Sequence, residues 1–251
     1  MHGARILTTI VTQSPHLSRT RIVLCRPQHP GNIGAAARAM KTMGLSDLRL
    51  VAPEKYPAPE AQWMATNAVD VLSNSKIHEN LQGAISDCVA AFALSARPRE
   101  WSTQVLDVRA AAVRAAELAG EVAFVFGNEQ AGLTNEEMLA CQYLVHIPAN
   151  PQFRSLNLAQ AVQVVSYELF LNSERKKPEM RTEKPATVSD LEGLYEHLER
   201  AAVESEFFDP ASGSKLRTRW RRLFSRVPDL EREEVNILRG LLNALRDPKS
   251  K

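Results

Sequence analysis

The chain has 251 residues, of which 44% are apolar and 24% charged, and its formal net charge is +2. That composition excludes a chain too polar to bury a core, and the overall charge is too small to imply a nucleic-acid partner by itself. No stretch approaches the roughly 18 consecutive apolar residues of a membrane helix, so neither a spanning segment nor a membrane partner is expected.

The first 20 residues hold only a short apolar run, Ile6 to Val11, broken by threonines. They read as an N-terminal extension rather than a signal peptide. From 21 to 171, short β-branched runs alternate with alanine-rich stretches. Strands are predicted at 21–25, 48–52, 88–94, 122–126 and 143–147. Helices are predicted at 34–43, loosely near 59–72, and at 79–86, 107–119, 134–141 and 156–171. This alternation predicts an α/β fold, a mainly parallel sheet flanked by helices. Residues 172–187 are polar with two prolines and read as a linker. Beyond them, 188–251 reads as a small all-helical domain. Its first helix carries apolar residues at 188, 191, 194, 195, 198, 201 and 202, with Ser189 and Glu192 spaced as a capping box. Further helices are predicted near 214–226 and 231–246. Cys25, Cys88 and Cys141 sit in or beside apolar runs without Cys-x-x-Cys spacing. They read as reduced core residues of a cytoplasmic protein, and no metal site is expected.

In parallel sheets ligands gather beyond the carboxyl ends of the strands, so the segments that follow each strand are the candidates. After the first, Gly31 and Gly34 bracket Asn32 and lead into a helix where Arg38 stands among alanines. The segment lacks the glycine patterns of nicotinamide-dinucleotide and P-loop sites. Small neighbours let a ligand approach Arg38, whose fork suits phosphate oxygens; a solvated helix charge is the plain alternative. After 88–94 come Ser95, Ala96, Arg97 and Arg99, and after 122–126 comes Glu129 between Gly127 and Gly132. Thr134 and Glu137 look like a helix cap. After 143–147, Ser155 and Asn157 lead the long helix, where a capping role suits either. Each loop also has an ordinary structural reading, and the residues alone leave the ligand open. Finally, Lys215 to Arg226 contains six basic residues and no acid. Arg217, Arg219, Arg221 and Arg222 suit RNA phosphates. Trp220 and Phe224 suit either base stacking or a helical core.

Taken in order, the pattern Asn32, Gly34, Arg38, then FGNEQAGL at 126–133, then IPANPQFRSLNLAQAV at 147–162, resembles the three motifs of the SPOUT superfamily of methyltransferases, in its SpoU (TrmH-like) branch. Within that branch the chain is similar to tRNA ribose methyltransferases acting on cytidine and uridine. The similarity covers about 21–171, and more weakly the basic helix and EVNILRGLL of the tail. It implies a sheet with a C-terminal trefoil knot, S-adenosyl-L-methionine as cofactor, and a homodimer with its site near the interface. It also implies 2′-O-methylation of tRNA nucleotide 32. The motif polar residues, implied as catalytic, are Asn32, Arg38, Glu129, Ser155 and Asn157. Cofactor contacts are implied at Leu94, Ser95, Ala96, Gly127, Ile147, Arg154, Ser155 and Leu156. At Leu94 and Arg154 the chain departs from the pattern, which carries threonine and a small residue there, so backbone contacts are implied. An rRNA ribose methyltransferase of the same family and a non-catalytic RNA-binding module are the alternatives.

Overall fold

The computed structural model describes residues 16–96, 104–173, 184–212, 215–227 and 230–246. The first 15 residues, Arg97 and Arg99, and most of the expected linker lie outside them. In chain order the elements are β1 (Thr20–Cys25), α1 (Pro30–Thr42), β2 (Asp47–Val51), α2 (Pro59–Ala65), α3 (Val69–Ser73), β3 (Lys76–His78), α4 (Leu81–Ile85), β4 (Ala90–Leu94) and β5 (Val105–Asp107). Then come α5 (Val108–Glu117), β6 (Val122–Phe126), α6 (Asn135–Leu139), β7 (Tyr143–His146), α7 (Leu158–Leu171), α8 (Val188–Glu204), α9 (Leu216–Phe224) and α10 (Arg232–Arg246).

The strands form one parallel sheet in the order β3-β2-β1-β6-β4-β7-β5. Because successive strand residues face opposite ways, each central strand feeds two cores. Ile22, Leu24, Phe92, Phe124 and Phe126 pack under α1, α2, α5 and α7. Val23, Cys25, Ala93 and Val125 pack on the other face with α4 and α6. Phe92 stacks between Phe124 and Tyr143, each at 4.7 Å, tying β6, β4 and β7 together. The order reverses between β1 and β6, so the carboxyl ends of β1, β6, β4 and β7 are neighbours. Their loops therefore meet in one place, as switch points in such sheets require.

Five strands and the main helices lie where the sequence predicts them. The edge strands β3 and β5 have three residues each, too few to show a period, and were not expected. Helix α1 begins at Pro30, not at 34, because the proline occupies a first-turn position that needs no N–H partner. Asn32 and Gly34 are thus helical rather than loop residues. Gly34 is required there: a Cβ would fall 2.0 Å from the Ala61 carbonyl oxygen of α2. The single helix expected near 59–72 is broken at Thr66, whose φ is +50°. The cap of α8 is also two residues earlier than expected. Thr187 accepts from the Asp190 N–H at 3.1 Å while Asp190 accepts from the Thr187 N–H at 3.0 Å. Ser189 cannot cap because its backbone is already inside the helix, its N–H donating to the Ser86 carbonyl at 3.1 Å.

The helical tail is joined to the sheet. Val188 is fully buried in the second core, and its N–H reaches the Cys88 carbonyl at 2.7 Å. Leu191, Leu194, Tyr195 and Val235 form a separate small core, against which Trp220 and Phe224 pack. Those two aromatics therefore follow the helical-core reading. All three cysteines are buried and unbonded. Among the described residues no helix is long and apolar enough to cross a membrane, and no cluster of three metal-ligating side chains occurs.

Candidate functional site

The loops after β4, β6 and β7 enclose a cavity of about 440 Å³. Leu94, Ser95 and Ala96 line it from the first loop, Gly127 and Glu129 from the second, and Ile147, Arg154, Ser155 and Leu156 from the third. Every residue to which the sequence implied a cofactor contact is therefore on its wall. Leu133, Val145 and Leu158 complete the apolar part, which sequence reasoning missed because they look like ordinary core positions.

The middle loop turns back on itself. Asn128 Oδ1 accepts the N–H groups of Gln130 (3.2 Å) and Ala131 (2.6 Å), and the Gly132 N–H donates to the Asn128 carbonyl (3.0 Å). Gly132 has a φ of +70°, in the region that favours glycine. The turn closes so tightly that a Cβ on Gly127 would lie 2.0 Å from the Gly132 carbonyl carbon. Two glycines read from the motif thus have separate jobs, one a left-handed turn and one a close backbone approach.

Glu129 leaves this turn and reaches across to the loop after β1. Its Oε2 accepts the Gln28 N–H at 3.0 Å; its Oε1 accepts the His29 N–H at 3.3 Å and the Asn32 Nδ2 at 2.8 Å. Asn32 Oδ1 accepts in turn from Asn157 Nδ2 at 3.0 Å. Asn157 is also the N-cap of α7, its Oδ1 accepting from Ala159 (2.9 Å) and Gln160 (3.4 Å). The capping role therefore belongs to Asn157 and not to Ser155, which faces the cavity. Partial burial opposes the charge on Glu129, but the donors from Asn32, Gln28 and His29 outweigh it and hold the carboxyl below its usual range. Both carboxylate oxygens of Glu129 are thus engaged in bridging the segments after β6 and β1.

Asn32 and Asn157 also line a second, more open cleft between α1, α2 and α7, with His29, Glu60, Met64 and Gln163. Arg38 is not on either wall. It is exposed on α1, one turn beyond Gly31 and Ala35 of the cleft, and no partner for its guanidinium occurs among the described residues.

The four arginines expected to meet RNA divide into two pairs. Arg221 forks onto Glu192 of α8, lies 5.5 Å over the Tyr195 ring and donates to the Leu139 carbonyl at 3.2 Å. Arg217 joins Glu192 and Glu196 at 3.3 Å each. Glu192, offered by the sequence as a cap residue, is the anchor for both. Arg219 and Arg222 are exposed, and Arg226 continues their stripe one turn on. Sequence reasoning could not separate the pairs, since the partner carboxylates lie on another helix.

A family model, the SpoU rRNA Methylase family, matches residues 19–167. The chain belongs to this family. A second model, the tRNA methyltransferase TrmJ C-terminal domain, matches residues 189–251. The chain is 44% identical over 240 residues to the tRNA (cytidine/uridine/adenosine-2′-O-)-methyltransferase TrmJ of Pseudomonas aeruginosa, covering 90% of this chain and 93% of the relative. It is 42% identical to the tRNA (cytidine/uridine-2′-O-)-methyltransferase TrmJ of Pectobacterium atrosepticum, covering 91% and 97%. The crystal structure of TrmJ from Z. mobilis superposes with a TM-score of 0.79 at 36% identity, covering 90% of this chain and 99% of that one. The SpoU-type domain and the helical tail thus occur together in the relatives, as they do here.

The Glu129 bridge has a pH signature. A carboxylate with a depressed folded pKa adds stability that is complete above its ordinary value near 4.5 and is lost as pH falls through the lower folded value. Glu129→Gln is expected to melt a few degrees below the wild type at pH 7. The gap should narrow and close as the pH falls below that ordinary value and through the lower folded one. Melting curves from pH 7 to pH 3 check this; a gap that persists or widens in acid contradicts the bridge.

Proposed function

We propose that this protein transfers a methyl group from S-adenosyl-L-methionine to the ribose 2′-hydroxyl of a pyrimidine nucleotide in tRNA. We place the target at position 32 of the anticodon loop and the enzyme in the cytoplasm as a homodimer. One observation carries the reading: Glu129 lines the cavity, Asn32 and Asn157 line the open cleft, and a chain of hydrogen bonds joins the three side chains. A small cofactor fits the first and a macromolecular substrate can reach the second.

The cavity suits the cofactor. Its size lies in the range of small-ligand pockets, and its lining mixes apolar side chains with polar ones. Gly127 lets the Gly132–Leu133 peptide close against it, which shapes the cavity wall. When bound, S-adenosyl-L-methionine supplies an activated methyl on a sulfonium. The protein's own task is alignment of the ribose oxygen for in-line displacement and support for the charge that develops as the hydroxyl loses its proton. Asn32 and Asn157 line the cleft, tied to Glu129 of the cavity, and orient the ribose. Ser155 contributes a hydroxyl from the cavity side. Arg38 keeps its proton throughout, since a guanidinium is not deprotonated in proteins, and acts as a cationic clamp on phosphate and developing alkoxide.

Dimerisation completes this arrangement. Trp63 and Met64 on α2 and Tyr167 and Leu171 on α7 are large apolar side chains left exposed on helices that border the cleft. A second copy covering that face would bring exposed Arg38 near a site it does not reach alone. On the tail, Arg219 and Arg222 face solvent and are the arginines available to RNA phosphates; Arg217 and Arg221 hold the helix that presents them.

Purified protein with methyl-labelled S-adenosyl-L-methionine and tRNA is expected to place label on a pyrimidine ribose at position 32. Arg38→Ala should lose at least about 100-fold in turnover, the effect of removing one charge-stabilising donor. Label on a base, label on rRNA only, or no transfer at all overturns the reading. In tRNA binding, Arg219→Ala and Arg222→Ala should each reduce the slope of log affinity against log salt by roughly 0.7–0.9. Arg217→Ala should lower the melting temperature of the tail with the slope unchanged. Equal slope changes for all of them would contradict the division.

A further inference from the structure

Arg26 follows β1 directly with a φ of +48°, a left-handed conformation that a non-glycine residue holds only when its surroundings enforce it. Its N–H is fixed to the Val51 carbonyl at 2.8 Å. Its guanidinium forks onto Glu137 at the start of α6, with one bond of 3.0 Å and a second, short one. The same nitrogen that makes the 3.0 Å bond reaches the Gly132 carbonyl oxygen at 3.4 Å. Glu137 in turn accepts the Thr134 N–H at 2.7 Å, and its side chain is only 10% exposed.

These contacts converge on one peptide. The Gly132 carbonyl is the group that lies against the bare Cα of Gly127, and Gly132 and Leu133 both line the cavity. The closing peptide of the turn is therefore held between Gly127 on one side and Arg26 on the other. Asn128 closes the turn from within, and Arg26 anchors its last peptide from outside. Glu137 would need no partner if its only work were to cap α6, since the box with Thr134 already does that.

We propose that Arg26, acting through Glu137, is a positioning residue for the cofactor. The pair sets the 127–133 turn in the shape that receives S-adenosyl-L-methionine, without touching it. The inference rests on the cavity being the cofactor site.

Arg26→Ala would leave Glu137 buried and unpaired, a large penalty to folding in itself. Conservative variants of the full chain therefore carry the test. Arg26→Lys keeps the charge but loses the planar fork, and Glu137→Gln keeps an acceptor for Thr134 but loses the ion pair. Calorimetry should show each binding S-adenosyl-L-methionine about tenfold more weakly than the wild type, the loss of one charge-assisted hydrogen bond. Its KM should rise accordingly, with kcat at saturation and the KM for tRNA within about twofold. The double variant should be no weaker than the poorer single one, because both remove the same interaction. Folded variants that bind the cofactor as the wild type does overturn the proposal, as does a fall in kcat with its KM unchanged. A wild type that fails to bind the cofactor at all refutes the reading of the cavity, and this inference with it.

Discussion

The three donors that converge on Glu129 decide what this site can be. The carboxylate stands at the end of β6 and its acceptor oxygens are filled by groups after β1. Those strands are neighbours on either side of the point where the strand order reverses. Such a crevice opens by default, because the chains leaving it diverge. A charged acceptor taking backbone N–H groups closes it at one spot, and bonds to a charge are the stronger kind in a partly desolvated place. Asn32 extends the link to Asn157, and through it to the first turn of α7. Three segments distant in sequence thereby share one chain of hydrogen bonds, with the cavity on one side and the cleft on the other.

The tail is held by a similar logic applied to arginine. Glu192 takes both Arg217 and Arg221, and Arg221 also donates to the last carbonyl of α6, that of Leu139. Half of the positive charge of α9 is thus spent on fixing the helix. The remainder, on the opposite side, gains a defined orientation from that packing. Val188, buried among sheet residues, keeps the start of the helical region from hinging freely.

Much of this was legible in the sequence. The β-branched runs of the central strands announce a sheet buried on both faces, and the motif residues that imply cofactor contacts all fall on one cavity. What escaped was set by distance. The strands β3 and β5 are edge additions of three residues, held by register with a neighbour rather than by their own pattern. Nothing local to Glu129 reveals that its oxygens meet groups about a hundred positions away. The basic run looked uniform, because the acids that divide it lie on α8. Thr187 hid its cap in what read as linker, although its spacing to Asp190 is the usual one.

The central claim is that Glu129 and Asn32 act as one unit joining the cofactor loop to the helix that faces the substrate. A double-mutant cycle in kcat/KM tests it most directly, with Glu129→Gln, Asn32→Ala and the pair. Coupled residues give a double variant about as impaired as the worse single one, so the losses fall well short of adding on a logarithmic scale. Losses that simply add would show that the two side chains serve the site separately, and the bridge would not be what holds it together.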